Sequence, residues 1–325
     1  MRRALVVLAW LAVLAAAVGV AVHYLDTTVT VLVVVASFAP FLMAAGVVGL
    51  LVLALTRQRA GTVVAALVVA ASVWTQLPLY LGESARPGEV PEVSVLQANI
   101  LFGQADPAVL VEQVRAREVD VLTVNELTDD AVPRLGAAGL DAELPYRYLR
   151  PMEWGGGGTG IWSRHPLSEE TEHLGFVLNM VSARVHEPGQ RPYRVVAAHP
   201  IPPWPRPQST IWNREMGEVR NILQGLRGQG EPVIVGADFN ATYDHAQFRA
   251  LVGDGYRDAA EQSGAGVLAT YPADRWWPPV LAIDHILVSG AVAGDVESVE
   301  LPGSDHRGVA ATVSLTSSDG YAESD

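Results

Sequence analysis

The segment Pro232-Val233-Ile234-Val235-Gly236-Ala237-Asp238-Phe239-Asn240-Ala241-Thr242 decides how the chain is read. Its apolar start has the length of a buried strand, and Gly236 to Thr242 closes it with turn-forming residues. Such a strand delivers Asp238 and Asn240 where the chain leaves a sheet, a rigid place from which to aim polar side chains. Asp238 is an acceptor that can take up a proton, and Asn240 offers both a donor and an acceptor. The same residue types also end many strands as plain turns. Taken alone, the segment leaves turn and ligand site equally open.

Composition narrows the choice. The 325 residues are 50% hydrophobic and 18% charged, unevenly spread. The first 83 hold four arginines and two acids; from residue 84 onward 18 arginines stand against 33 acids, a net of about −15 with His neutral. Such a domain repels polyanions unless metal ions or local arginines intervene. Cysteine is absent, which excludes disulfides, thiolate metal sites and a cysteine nucleophile. Lysine is absent too, so every fixed positive side chain is arginine.

Three apolar runs precede the acidic part: Ala4 to Val22, Val29 to Leu55 and Thr62 to Leu81. At 1.5 Å rise per residue each is about long enough to span some 30 Å of hydrocarbon. The first run is long for a signal peptide and lacks a small-residue cleavage site, so three transmembrane helices are expected over residues 1–82. Arg2, Arg3, Arg57 and Arg59 flank the spans on one side, and the connector from His23 to Thr28 carries no arginine. The positive-inside rule then places the N-terminus in the cytoplasm and everything after the third span outside it. Pro40 and the small residues Ala44, Ala45 and Gly46 predict a kink or a close helix contact. The spans hold no acid or base, which favours an anchor in the lipid bilayer over a transporter. Residues 83–92 read as a polar, proline-containing linker, residues 93–316 as the outer domain, and residues 317–325 as a disordered polar tail.

Strands are expected in the outer domain at Val93 to Ile100, Val119 to Val124, Tyr146 to Leu149, Ile161 to Ser163, Val177 to Val185, Tyr193 to Ala198, Ile283 to Val288 and Val309 to Leu315. Helices are expected from Asp106-Pro107, from Ala131, over Ser209 to Leu226, Tyr243 to Leu251 and Tyr256 to Gln262. The run Trp154 to Gly160 reads as a flexible turn.

Asn99, Glu126, His199, Asp238, Asn240, Asp284, Asp305 and His306 each lie at or beside the end of an apolar run. Singly, each is a cap, a turn residue or a satisfied partner. Jointly they bring four carboxylates, two carboxamides and two imidazoles to strand ends, where ligand sites of sheet proteins gather. Oxygen donors of this kind suit Mg2+ or Mn2+. A histidine beside a carboxylate is an acid–base pair. Together these serve in-line attack on phosphorus.

The segments QANI (97–100), VNEL (124–127), GTGIWSRHPL (158–167), AAHP (197–200), GADFN (236–240), IDHILVS (283–289) and SDHRGV (304–309) resemble, in order and spacing, the endonuclease/exonuclease/phosphatase superfamily of deoxyribonuclease-I-like enzymes. The resemblance covers roughly Val93 to Leu315. It implies an α/β fold, a four-layer αββα sandwich of two β-sheets flanked by helices. It also implies a role for each matched residue. Glu126 is then the main Mg2+ ligand, with Asn99 and Asp305 completing or orienting the metal site. Asp284 orients His306, which contacts the phosphate or acts as base. Asp238 handles the attacking water or the leaving group, Asn240 holds water and phosphate, and His199 binds a phosphate oxygen.

The expected activity is that of a membrane-anchored, Mg2+-dependent phosphoesterase, a phosphodiesterase of nuclease-like or phospholipid-directed type, with its site outside the cytoplasm. The alternative is a non-catalytic extracytoplasmic binding or scaffold module. Arginine-rich insertions of the kind that read duplex DNA are not evident. Trp204, Trp276 and Trp277 should border the cleft. They either pack proline-rich loops, stack on nucleobases or meet lipid head groups, so nucleic acid and phospholipid head groups both remain as the phosphoester partner.

Overall fold

The computed structural model describes residues 1–82 and 92–315. Four helices come first: α1 (Arg2–Tyr24), α2 (Thr30–Ser37), α3 (Ala39–Leu55) and α4 (Arg59–Gln76), the last continued by a 3-10 turn over Leu77–Tyr80. α1 and the α4 segment are long and apolar enough to cross a membrane. The second apolar run is not one straight helix: α2 and α3 meet at 64° around Phe38, two residues before Pro40, and make at most one further span as a bent pair. Proline removes a backbone donor and crowds the preceding turn, so the break falls where the sequence places it. The small residues do bring helices close, since a Cβ on Gly46 would lie 2.7 Å from the Ala16 methyl.

The remainder runs β1 (Glu92–Asn99), α5 (Pro107–Ala116), β2 (Val121–Asn125), α6 (Ala131–Ala137), α7 (Leu140–Glu143), β3 (Tyr146–Arg150), β4 (Thr159–Ser163), β5 (Leu167–His173), β6 (Met180–Val185), β7 (Tyr193–Ala198), α8 (Ser209–Arg227), β8 (Val233–Asp238), α9 (Ala246–Val252), β9 (Arg257–Asp258), α10 (Ala259–Ser263), β10 (Asp284–Ser289), β11 (Ala291–Val299) and β12 (Gly308–Leu315). Two six-stranded sheets form, ordered β11-β12-β1-β2-β4-β3 and β5-β6-β7-β8-β10-β9. Pairs β1/β2 and β7/β8 are parallel and the others antiparallel. α5 starts as its sequence dictates, with Asp106 accepting from the N–H groups of Ala108 and Val109 and Pro107 at the first helical position.

Period-2 alternation builds the layers. In β1, Val93 and Val95 face the second sheet, while Leu96 and Ala98 face α5 and α6 through Leu110, Val114 and Leu135. In β8, Ile234 joins the layer between the sheets, while Val233 and Val235 pack on Trp212 and Met216 of α8 and Phe248 of α9. The result is the expected αββα sandwich. Gly236 lies on the inner face where the sheets close up, and a Cβ there would sit 2.1 Å from Thr123 Oγ1.

Several expectations are corrected. β5 and β11 did not stand out in the sequence. β5 exposes much of both faces, and β11 is broken by a bulge between Gly294 and Glu297. The helix expected from Tyr243 begins only at Ala246, and that expected from Tyr256 is the short α10 after a two-residue strand. Residues 83–91 of the expected linker and the tail after Leu315 lie outside the described residues.

The helical segment also packs against the sandwich. His23, at the end of α1, bonds Asp244 Oδ1 through Nδ1 at 2.8 Å, and Gln76 of α4 donates to the same oxygen at 2.8 Å. Arg249 donates to His23 O and Ser209 to Thr28 O. Val33 of α2 joins the apolar cluster under α8.

Candidate active site

The layer between the sheets changes character along its length. In β1 the inner face reads Val93, Val95, Gln97, Asn99, and in β2 Val121, Thr123, Asn125; in β8 it ends at Asp238, and β10 begins it at Asp284. At this end the buried side chains are polar, so each needs a partner, and they bond across the sheets. Asn99 Nδ2 donates to Asp238 Oδ2 at 3.0 Å and to Glu126 Oε1 at 3.1 Å. Gln97 Nε2 donates to Asp284 Oδ1 at 3.0 Å and to Asn125 Oδ1 at 3.2 Å. Asn125 Nδ2 donates to Ala198 O at 3.0 Å, and its Oδ1 accepts from the Asp238 N–H at 2.9 Å.

All eight candidate residues converge here. His306 donates from Nδ1 to Asp284 Oδ2 at 2.7 Å, and its Nε2 faces Asp238 at 3.8 Å and Asp305 at 3.9 Å. His199 Nδ1 bonds Gly156 O at 3.1 Å, which turns Nε2 toward Asp238 Oδ2 at 3.5 Å. Asp238 Oδ1 accepts from the Asn240 N–H at 2.9 Å, and Asn240 Nδ2 donates to Pro200 O at 3.1 Å, beside His199. Glu126 Oε2 accepts from the Phe102 N–H at 3.0 Å. Glu126 and Asn240 both have left-handed backbones, at φ 60° and 50°. That conformation is unfavourable for Glu, and such strain concentrates at functional sites.

The cluster sets its own charges. Burial alone would hold His306 neutral, but the Asp284 and Asp238 carboxylates outweigh it and push its pKa up to about 10. Burial likewise disfavours a charged His199, yet the Asp238 hydrogen bond and charge raise it. Burial would raise Asp238, and the His306 and His199 charges reverse that and hold it below the usual carboxylate range. Asp305 is raised, first by burial and also by the Glu126 charge.

Two sets of donors could hold a metal ion. Asp238, Asp284 and His306 have ligand atoms within 4.8 Å of one another, but the short Nδ1–Oδ2 bond already joins two of them. Glu126 and Asp305 are the better fit: their charges repel, Asp305 Oδ1 is buried with no hydrogen-bond partner, and carboxylate oxygen suits a hard divalent ion. Asn99 is here an orienting group. Its amide spans Glu126 and Asp238, and its Oδ1 accepts from the Leu101 N–H at 3.0 Å.

Sequence reading missed Gln97 and Asn125, which pin the carboxylates, and Tyr271, whose ring lies 4.9 Å from that of His306. The signal was available for the first two, at inner-face positions two residues before Asn99 and one before Glu126. The run Trp154 to Gly160 is no free turn. Gly156 O holds His199, and a Cβ on Gly158 would sit 1.7 Å from Leu127 O. Trp204 and Trp276 are exposed, and Trp277, less so, packs edge-on against Trp276 with ring centroids 5.3 Å apart. The Trp276 loop is tied to the site by the Ala273 N–H bond to Asp305 O at 2.7 Å.

Among solved structures, zebrafish (D. rerio) TDP2 complexed with a single-strand DNA product is 19% identical with a TM-score of 0.57, over 68% of this chain and 98% of that one. An endonuclease/exonuclease/phosphatase from Beutenbergia cavernae is 18% identical with a TM-score of 0.56, over 70% and 72% of the two chains. A mannosyl-6-phosphatase from Bacteroides thetaiotaomicron is 17% identical with a TM-score of 0.52, over 68% and 99%. At these identities the likeness is one of fold. No curated protein matches the sequence. The model of the endonuclease/exonuclease/phosphatase family matches residues 96–306, most of the chain and every residue of the site just described, and the protein belongs to that family.

Proposed function

We propose that the protein is a membrane-anchored, divalent-metal-dependent phosphoesterase acting on a phosphodiester outside the cytoplasm. The carrying observation is the placement of the Asp238 carboxylate between two imidazoles, His199 Nε2 at 3.5 Å and His306 Nε2 at 3.8 Å, at the polar end of the inter-sheet layer. An anion flanked by two cations suits water attack on a phosphate. Asp238 orients the water and accepts its proton. His306, fixed by Asp284, donates to a non-bridging oxygen, and His199 donates toward the leaving group. Asn240 holds the water and the phosphate. A divalent cation on Glu126 and Asp305, Mg2+ or Mn2+, would neutralise phosphate charge.

The membrane side of the proposal is supported by charge. His23, Gln76 and Leu79 mark the helix ends that meet the sandwich. Arg2 donates to Thr56 O at 2.7 Å at the opposite end, near Arg57 and Arg59. Arginines on the far side of the helices from the catalytic domain are what an outside domain requires.

The test is hydrolysis of bis(p-nitrophenyl) phosphate by the full-length protein in detergent with Mg2+ or Mn2+. Turnover that vanishes with chelator and in Glu126→Ala supports the proposal. No turnover of this ester, of DNA or of phospholipid, or full activity in Glu126→Ala, rejects it.

A further inference from the structure

Between the bent α2–α3 pair and the sandwich lies an apolar pocket of about 310 Å3, at the lower end of the range for small-molecule sites. Ser37 and Pro40 on either side of the bend, with Phe41 and Ala44 on the next turn of α3, form one wall. Leu268, Val280 and Ala282 form the other, and Asp284 reaches it from the catalytic dyad. We propose that this pocket receives one alkyl chain of a lipid whose phosphoester is the substrate, a statement that rests on the phosphoesterase reading above.

Three observations carry it. First, one wall belongs to a bent helix pair apolar enough to lie in a bilayer, and Phe41 on that wall is half-exposed, which would set the pocket beside hydrocarbon. Second, the carboxylates at its rim are already paired. Asp244 is engaged by His23 and Gln76, Asp258 by His285 at 3.2 Å, and Asp284 by His306 and Gln97. A mainly apolar cavity whose carboxylates are paired favours an apolar chain over a charged ligand. Third, it abuts the chemistry. Asp284 lines both pocket and dyad, Thr242 follows Asn240 by two residues, and Val280 ends the loop that carries Tyr271 and the exposed Trp276 and Trp277. Exposed tryptophans on that loop suit the interface where head groups lie.

The experiment uses full-length protein in nanodiscs, with a phosphatidylglycerol carrying a diazirine in one acyl chain as probe. In the inactive His306→Ala background, photolysis should label peptides containing Leu268 and Val280. Filling the pocket with Ala44→Trp or, from the other wall, Ala282→Phe should cut that labelling at least fivefold while the outward face of α1 stays labelled. With the catalytic residues intact, the same fillings should lower phosphatidylglycerol hydrolysis tenfold or more and leave bis(p-nitrophenyl) phosphate turnover within twofold. Unlabelled Leu268 and Val280, labelling indifferent to both fillings, or an equal loss on both esters overturns the inference. The expected labelling with no hydrolysis of either ester keeps the lipid site and overturns the phosphoesterase reading instead.

Discussion

The two ends of the inter-sheet layer are built from the same strands and the same period of two, yet they do opposite things. At one end Val93, Val121, Ile234 and Val313 are fully buried and carry no polar group. At the other, Gln97, Asn125, Asp238 and Asp284 are as deeply buried and carry little else. Apolar burial stabilises at about 25 cal/mol per Å2, whereas buried charges are tolerated only when paired. The apolar end therefore supplies stability, and the polar end spends part of it to hold carboxylates and imidazoles in fixed geometry.

The comparison breaks first at the His306–Asp284 pair. Asp284→Asn or His306→Ala should each lower kcat by about 10² to 10⁴-fold, and His306→Ala should also lower the melting temperature, because it leaves the buried Asp284 and Asp238 carboxylates without their partner. Because the pair acts as a unit, the double variant should lose little more than the worse single one. A double loss equal to the product of the singles would separate the two residues. At the apolar end the pattern should invert. Ile234→Ala should remove about 2–5 kcal/mol of stability by denaturant unfolding, with kcat of the folded fraction nearly intact. Gln97→Leu lies between, and should lower activity by about 10 to 100-fold through the loss of an orienting bond, in line with outer-shell changes at metal sites.

The smallest effect concerns the junction with the helices. His245 Nδ1 accepts from the Thr242 N–H at 2.9 Å, which requires the neutral ring, and its Nε2 donates to Val33 O at 3.0 Å, which fixes the tautomer. Burial of the ring pushes its pKa down to about 4. The unfolded chain, with an ordinary histidine near 6.5, then binds the extra proton first. This stability is fully present above about pH 6.5 and is lost as pH falls toward 4, by roughly 1 kcal/mol at pH 5.5. Melting of the full-length protein between pH 7 and 5.5 should fall more steeply for wild type than for His245→Gln, and equal slopes would remove His245 as the cause.

Much of this was legible in the sequence where local rules operate. Asp106-Pro107 starts a helix, β8 ends at Asp238, and eight polar residues at strand ends converge. What escaped depended on longer-range or weaker signals. β5 shows no apolar alternation because it lies at a sheet edge and is exposed, and the β11 bulge shifts its period. Gln97 and Asn125 look like ordinary strand residues until the second sheet brings Asp284 and Asp238 opposite them. The docking of α1 on the sandwich joins His23 to Asp244, 221 residues away, and no local pattern encodes it.

The most direct test of a site maintained for chemistry is to measure activity and stability together on Asp238→Asn. This change keeps the shape and removes the charge between the two imidazoles. Turnover of bis(p-nitrophenyl) phosphate should fall by about 10³-fold or more while the melting temperature stays within a few degrees of wild type. Activity within tenfold of wild type, at unchanged stability, would contradict the account.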